Sequence, residues 1–145
     1  MSQNPGFIVK FFDKKYETMN IIELVEAPVE AISGVSKGDA DKLQKAFNIK
    51  TVGDLAANKY IKYAQIVTQY AEVSEDLLDK EYEKNIVSLA DEPVAAIQGI
   101  SDGDAELLMA AFNIKTIRDL AANKYVAIAE ATANLAAMVV LVALL

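Results

Sequence analysis

Residues 32 to 60 read ISGVSKGDADKLQKAFNIKTVGDLAANKY, and residues 97 to 125 read IQGISDGDAELLMAAFNIKTIRDLAANKY. The two stretches align without gaps at an offset of 65 residues. The correspondence reaches back to Asn20 and Asn85, and 26 of the 41 aligned positions from Asn20 to Tyr60 are identical. Self-similarity on this scale means two copies of one supersecondary unit, stacked or paired by pseudo-symmetry.

Each unit reads as a run of short helices. Pro28 and Pro93 suit a first helical turn, where the missing N–H costs nothing, and Val29 with Ile32, or Val94 with Ile97, supplies its apolar face. Gly34 and Gly99 suit the left-handed residue that ends such a turn. Ser36 with Asp39, and Ser101 with Asp104, form capping signatures that open the next helix. That helix carries Ala40, Leu43 and Phe47, or Ala105, Leu108 and Phe112, at the spacing of a buried stripe. Asn48 and Asn113 are its expected left-handed terminators. Thr51 with Asp54, and Thr116 with Asp119, repeat the signature before another short helix. A longer helix follows Tyr60 and Tyr125, and no alternating strand pattern of useful length occurs.

These signals predict an all-α fold: two helical repeats packed as one compact domain, with a long apolar C-terminal helix. The expected organisation is an apolar N-terminal segment over 1–19, a first repeat over 20–73, a connecting helix over 74–84 and a second repeat over 85–145. The connecting helix is signalled by Ser74-Glu75-Asp76 and by Leu78, Tyr82 and Ile86 four apart.

The chain holds 145 residues, 53% of them hydrophobic, which is enough to bury a core. Cysteine and histidine are both absent, so disulfides, thiol nucleophiles, zinc-finger ligand sets and Ser-His or Cys-His catalysis drop out together. A net charge of −7 disfavours a general nucleic-acid coat. The N-terminus lacks a basic region and has too short an apolar run for a secretory signal. Cytoplasmic localisation is the expectation.

From Pro28 to Ala56 and from Pro93 to Ala121 the sequence resembles the helix-hairpin-helix superfamily. Ile32, Gly34, Val35, Ala40 and Leu43 carry the likeness in the first copy, and Ile97, Gly99, Ile100, Ala105 and Leu108 in the second. KAFNIKTVGDLA and AAFNIKTIRDLA are similar to the continuation seen in the N-terminal domain of RadA-type recombinases. The resemblance implies that, in DNA-binding members, hairpin amides and nearby basic residues hold a phosphate. Transferred to this chain, the contact set would be Gly34, Ser36, Lys37, Gly38, Lys42 and Lys45.

The sequence departs from that pattern at the hairpins themselves. Ser36 and Ser101 replace the second glycine, and Asp39 and Asp104 bring a carboxylate to the helix N-terminus where an anion would sit. Net charge is −1 from Asn20 to Tyr60 and −3 from Asn85 to Tyr125. In acidity and doubled architecture the chain is similar to the acidic repeats of the elongation factor NusA, which bind protein.

Other candidates weaken against plainer roles. Asp102, Asp104 and Glu106 lack the full ligand pattern of a calcium loop and read as helix caps. Lys59-Tyr60 and Lys124-Tyr125 could stack on a nucleotide, but core packing by the tyrosine is the simpler role. No catalytic residue, metal ligand, cofactor or small-molecule substrate is indicated.

Residues 126–145, VAIAEATANLAAMVVLVALL, carry no charge after Glu130. A helix apolar all round needs cover on every side, and PGFIVKFF near the start adds Phe7, Ile8, Phe11 and Phe12. The expected interface therefore comprises Phe7, Phe11, Phe12, Leu135, Met138, Val139, Leu141, Val142 and Leu145. The leading expectation is a non-enzymatic interaction or assembly module that binds protein or a second copy of itself. Alternatives are a DNA-binding module using the first hairpin and a peripheral membrane subunit using the C-terminal helix. Nucleic acid and membrane are both less favoured as partners.

Overall fold

The computed structural model describes residues 10–77 and 88–145, all-α with no strand among them. Seven α-helices are bounded there: α1 (Ile21–Glu26), α2 (Lys37–Phe47), α3 (Val52–Ala57), α4 (Lys59–Leu77), α5 (Asp102–Phe112), α6 (Ile117–Ala121) and α7 (Lys124–Leu144). Residues 88–90 are also helical. Single-turn 3-10 segments occupy Val29–Ala31 and Val94–Ala96. Pro28 and Pro93 stand just before these turns, so the expected α-helical start is a tighter and shorter element.

Helix starts follow the caps. Thr51 accepts from the Asp54 N–H while Asp54 returns a bond to Thr51, and Thr116 with Asp119 repeats this. Ser101 and Asp104 close the same reciprocal box. Ser36 accepts from the Asp39 N–H at 3.0 Å, but no return bond forms. Asn20 and Glu23 form a box of their own at the head of α1. Asn48 and Asn113 end α2 and α5 in the left-handed region, at φ 56° and 57°.

Two backbone clasps fold each repeat upon itself. Val52 donates to Ala27 and Val29 to Lys50, pairing Pro28 with Thr51, and Ile117 to Glu92 with Val94 to Lys115 does the same for Pro93 and Thr116. The NIKT segments, identical in the two copies, thereby tie the end of α2 or α5 to the 3-10 turn.

The repeats then interlock about a pseudo-two-fold axis. Helix α2 packs on its equivalent α5, α3 packs on α7, and α6 packs on α4. Each long helix thus lies against the short helix of the other repeat. Leu24, Val29, Ile32, Leu43, Ile49, Val52, Leu55, Ile61, Val94, Leu108, Ile117, Leu120 and Val126 fill one continuous buried core. On the axis, Glu130 of α7 meets Gln65, the residue 65 positions earlier, at 2.7 Å and Lys62 at 2.6 Å.

Two sequence expectations change. Helix α4 runs uninterrupted through Ser74 to Leu77, so no new helix starts at Ser74; the rest of the expected connecting helix lies outside the described residues. Phe12 is not an interface residue. It is 2% exposed and pairs with Ile32 as an antiparallel bridge inside the core.

Candidate interaction surface

The hairpins are closed by tyrosines from across the axis. Gly34 and Gly99 sit at φ +97° and +99°, and a Cβ at Gly34 would stand 2.7 Å from the hydroxyl of Tyr125, while one at Gly99 would stand 2.7 Å from that of Tyr60. The Tyr125 hydroxyl also donates to the Gly34 carbonyl at 3.4 Å. Behind each tyrosine lies its own repeat's phenylalanine, Phe47 at 5.0 Å from Tyr60 and Phe112 at 4.9 Å from Tyr125. Lys59 and Lys124 lie over the faces of these rings, 5.1 and 5.0 Å from the centroids. The LAANKY segments thus add a contact between repeats, each tyrosine reaching the hairpin glycine of the other copy.

The residues of the DNA alternative are scattered in role. Lys37 pairs with Asp41 on the exposed face of α2. Lys42 and Lys45 line a shallow groove with Asp41, Gln44, Asn48 and Leu107. Gly38 has only the Ser36 hydroxyl and the Lys42 ammonium near it. Gly34 stands at the hairpin itself beside the Tyr125 ring, and Ser36 caps the head of α2. Among the described residues, no cluster of three acidic, histidine or cysteine groups could hold a metal ion.

Among the described residues, Asp119 in the cap of α6 has its acidity clearly moved. Burial alone would raise its pKa, but N–H bonds from Lys115 and Thr116, the Thr116 hydroxyl and the Lys115 charge together hold it below the usual 3.8. Its carboxylate serves a helix end and faces no cavity.

The apolar surface is concentrated on the two long helices. Helix α7 is anchored by Val126, Ala129, Thr132 and Ala136, which are buried. Beyond Ala136 every residue is exposed on all sides of the helix: Met138, Val139, Val140, Leu141 and Val142, then Leu144 at 79% and Leu145 at 98%. The stretch Ile117–Leu144 is long and apolar enough to cross a membrane by length and composition. Lower on α7, Phe11, Ala127, Ile128, Ala131, Thr132 and Leu135 line a groove of about 490 Å³. Phe7 and Ile8 lie outside the described residues.

A second apolar strip was missed in the sequence. Tyr63, Ile66, Tyr70 and Val73 project from α4 into solvent at alternating spacings of three and four. That spacing signals a helix seam, yet it is hidden in IKYAQIVTQYAEV because the inward face of α4 uses small residues, Ala64, Thr68 and Ala71. No family model, curated protein or solved structure matches this chain.

Proposed function

We propose that this protein is a non-enzymatic assembly module, a helix-hairpin-helix relative whose hairpins serve as scaffold and whose long helices bind another protein chain. The observation that carries this reading is the distal third of α7, apolar on every side and exposed. Its exposed side chains, Met138 to Leu145, form a contiguous apolar patch of the kind that marks an interaction site on a small protein. The α4 strip supports a protein partner, since a three-four seam is how helices meet helices. A net charge of −7 opposes approach to an anionic leaflet, and α7 carries no basic residue after Lys124.

Light scattering on the eluted full chain tests the reading. The wild type is expected to self-associate, and Val139→Glu/Val142→Glu, which alters only exposed positions, is expected to reduce its mass. A monomeric wild type that floats with phosphatidylcholine/phosphatidylglycerol vesicles would replace a protein partner with lipid.

A further inference from the structure

Helix α4 turns opposite faces to different surroundings. Ile61, Ala64, Thr68 and Ala71 are buried against the body of the protein, and Tyr63, Ile66, Tyr70 and Val73 stand exposed on the other side. The exposed set is spaced by three, four and three residues, the pattern of a coiled-coil seam. Because the seam points away from the core, two bodies can lie on opposite sides of a pair of such helices. Gln69, Tyr70 and Val73 also line a recess of about 260 Å³ on this face, a hole of the kind that a facing side chain fills in seam packing.

The strip is complementary to its own reverse. A two-fold axis crossing α4 at the level of Thr68 sets Tyr63 of one helix opposite Val73 of the other, and Ile66 opposite Tyr70. Each aromatic ring then meets an aliphatic side chain, and all four positions are used. The recess beside Tyr70 and Val73 falls level with Ile66 and Tyr63 of the facing helix. A parallel pairing would instead set each side chain against its own copy.

Charge along α4 favours the same orientation. From residue 59 to 68 the charged residues are Lys59 and Lys62, and from 69 to 77 they are Glu72, Glu75 and Asp76. Lys62 bonds Glu130 of its own chain at 2.6 Å. Lys59 lies over the Tyr60 ring and makes no ion pair among the described residues. An antiparallel pair brings each basic head beside an acidic tail, whereas a parallel pair brings like charges together. The matching helix α7 offers less, because no charge follows Glu130 and its far end has nothing to answer Lys59.

We propose that the exposed face of α4 binds α4 of a second copy, antiparallel, in a two-fold dimer centred at the level of Thr68. The contact uses the same patch on both subunits, as an isologous dimer requires. Aromatic side chains meet aliphatic ones along the seam, and base meets acid toward both ends. This inference rests on the reading of the chain as an assembly module, and it names the partner of the α4 strip, a face separate from distal α7.

The test uses full chains carrying Val139→Glu/Val142→Glu, so that α7 does not contribute, and reads mass by sedimentation velocity. This parent is expected to be a dimer and the wild type a larger assembly. Tyr63→Glu sets an acid against the acidic tail and Val73→Lys a base against the basic head, so each added singly is expected to abolish the dimer. Their equimolar mixture is expected to recover it. In the mixed pair the introduced carboxylate meets the introduced ammonium at one end, and Tyr63 meets Val73 at the other. Both positions face solvent, so neither change disturbs the fold, which circular dichroism checks. A mixture that stays monomeric would overturn the antiparallel pairing, and so would a dimeric parent left intact by either change. A monomeric parent beside a self-associating wild type would overturn it and leave the α7 reading standing. A monomeric wild type would overturn both. Equal dimeric mass for wild type and parent, with recovery in the mixture, would keep the α4 pairing and remove α7 as the contact.

Discussion

Gly34 and Gly99 are held by two separate constraints, a left-handed backbone and a tyrosine hydroxyl where a Cβ would stand. Gly99→Ala is expected to lose roughly 1–2 kcal/mol from the backbone alone, with further loss from displacement of Tyr60, as measured by urea unfolding. Adding Tyr60→Phe should recover only part of this, because the backbone strain stays. Gly53 is a different case. A Cβ there would meet Val25 at 2.8 Å, whereas the second repeat has Arg118 at this position with Ala90 in place of Val25, and Arg118 reaches Asp91 at 3.0 Å. Gly53→Arg should therefore destabilise the protein, and Val25→Ala in the same chain should restore much of the loss. The double variant must be at least as stable as Gly53→Arg alone for this pairing to hold. Neither pairing could be read from one copy of the repeat, since each is a contact between residues distant in sequence.

Short helices here depend on their ends. Helix α6 has five residues, too few to persist by propensity, so its cap matters more than its interior. Thr116→Ala is expected to cost roughly 1 kcal/mol. Asp119 adds a pH dependence. Because its folded-state pKa lies below the unfolded value, its contribution is complete above the unfolded pKa and disappears as pH falls through the folded one. Chemical unfolding of wild type and Asp119→Asn should differ near neutrality and converge at the acidic end; a gap that stays constant with pH would remove the carboxylate from the cap. Caps were the most legible part of the sequence, because Ser, Thr, Asp and Asn act on amides two or three residues away. The end of α4 was not legible, because Ser74-Glu75-Asp76 looks like a start wherever it falls and only surrounding contacts decide whether the chain breaks there. The role of Glu130 was hidden for a similar reason. In sequence it interrupts an apolar run; in the fold its carboxylate joins Lys62 and Gln65 across the axis.

At the scale of the whole molecule, both long helices carry more apolar surface than the fold uses. The sequence announced this for α7, where the charges stop, but not for α4, where polar and apolar residues are interspersed along the chain and separate only when wound into a helix. The interlocked packing has its own consequence for stability. With α3 on α7 and α6 on α4, neither repeat has a core without the other, so thermal unfolding is expected to show one transition followed equally by circular dichroism and tyrosine fluorescence. Two resolved transitions would mean that the repeats are independent units.

The crossing of Gln65 and Glu130, equivalent residues facing each other on the axis, also says something about descent. A chain carrying a single unit would have met an identical chain at that very point, bonded side by side as equal subunits. Joining two such genes end to end would turn the contact between molecules into one within a molecule, and would free each half to diverge. Gly53 beside Val25 in one half, and Arg118 beside Ala90 in the other, have the form that such divergence leaves behind.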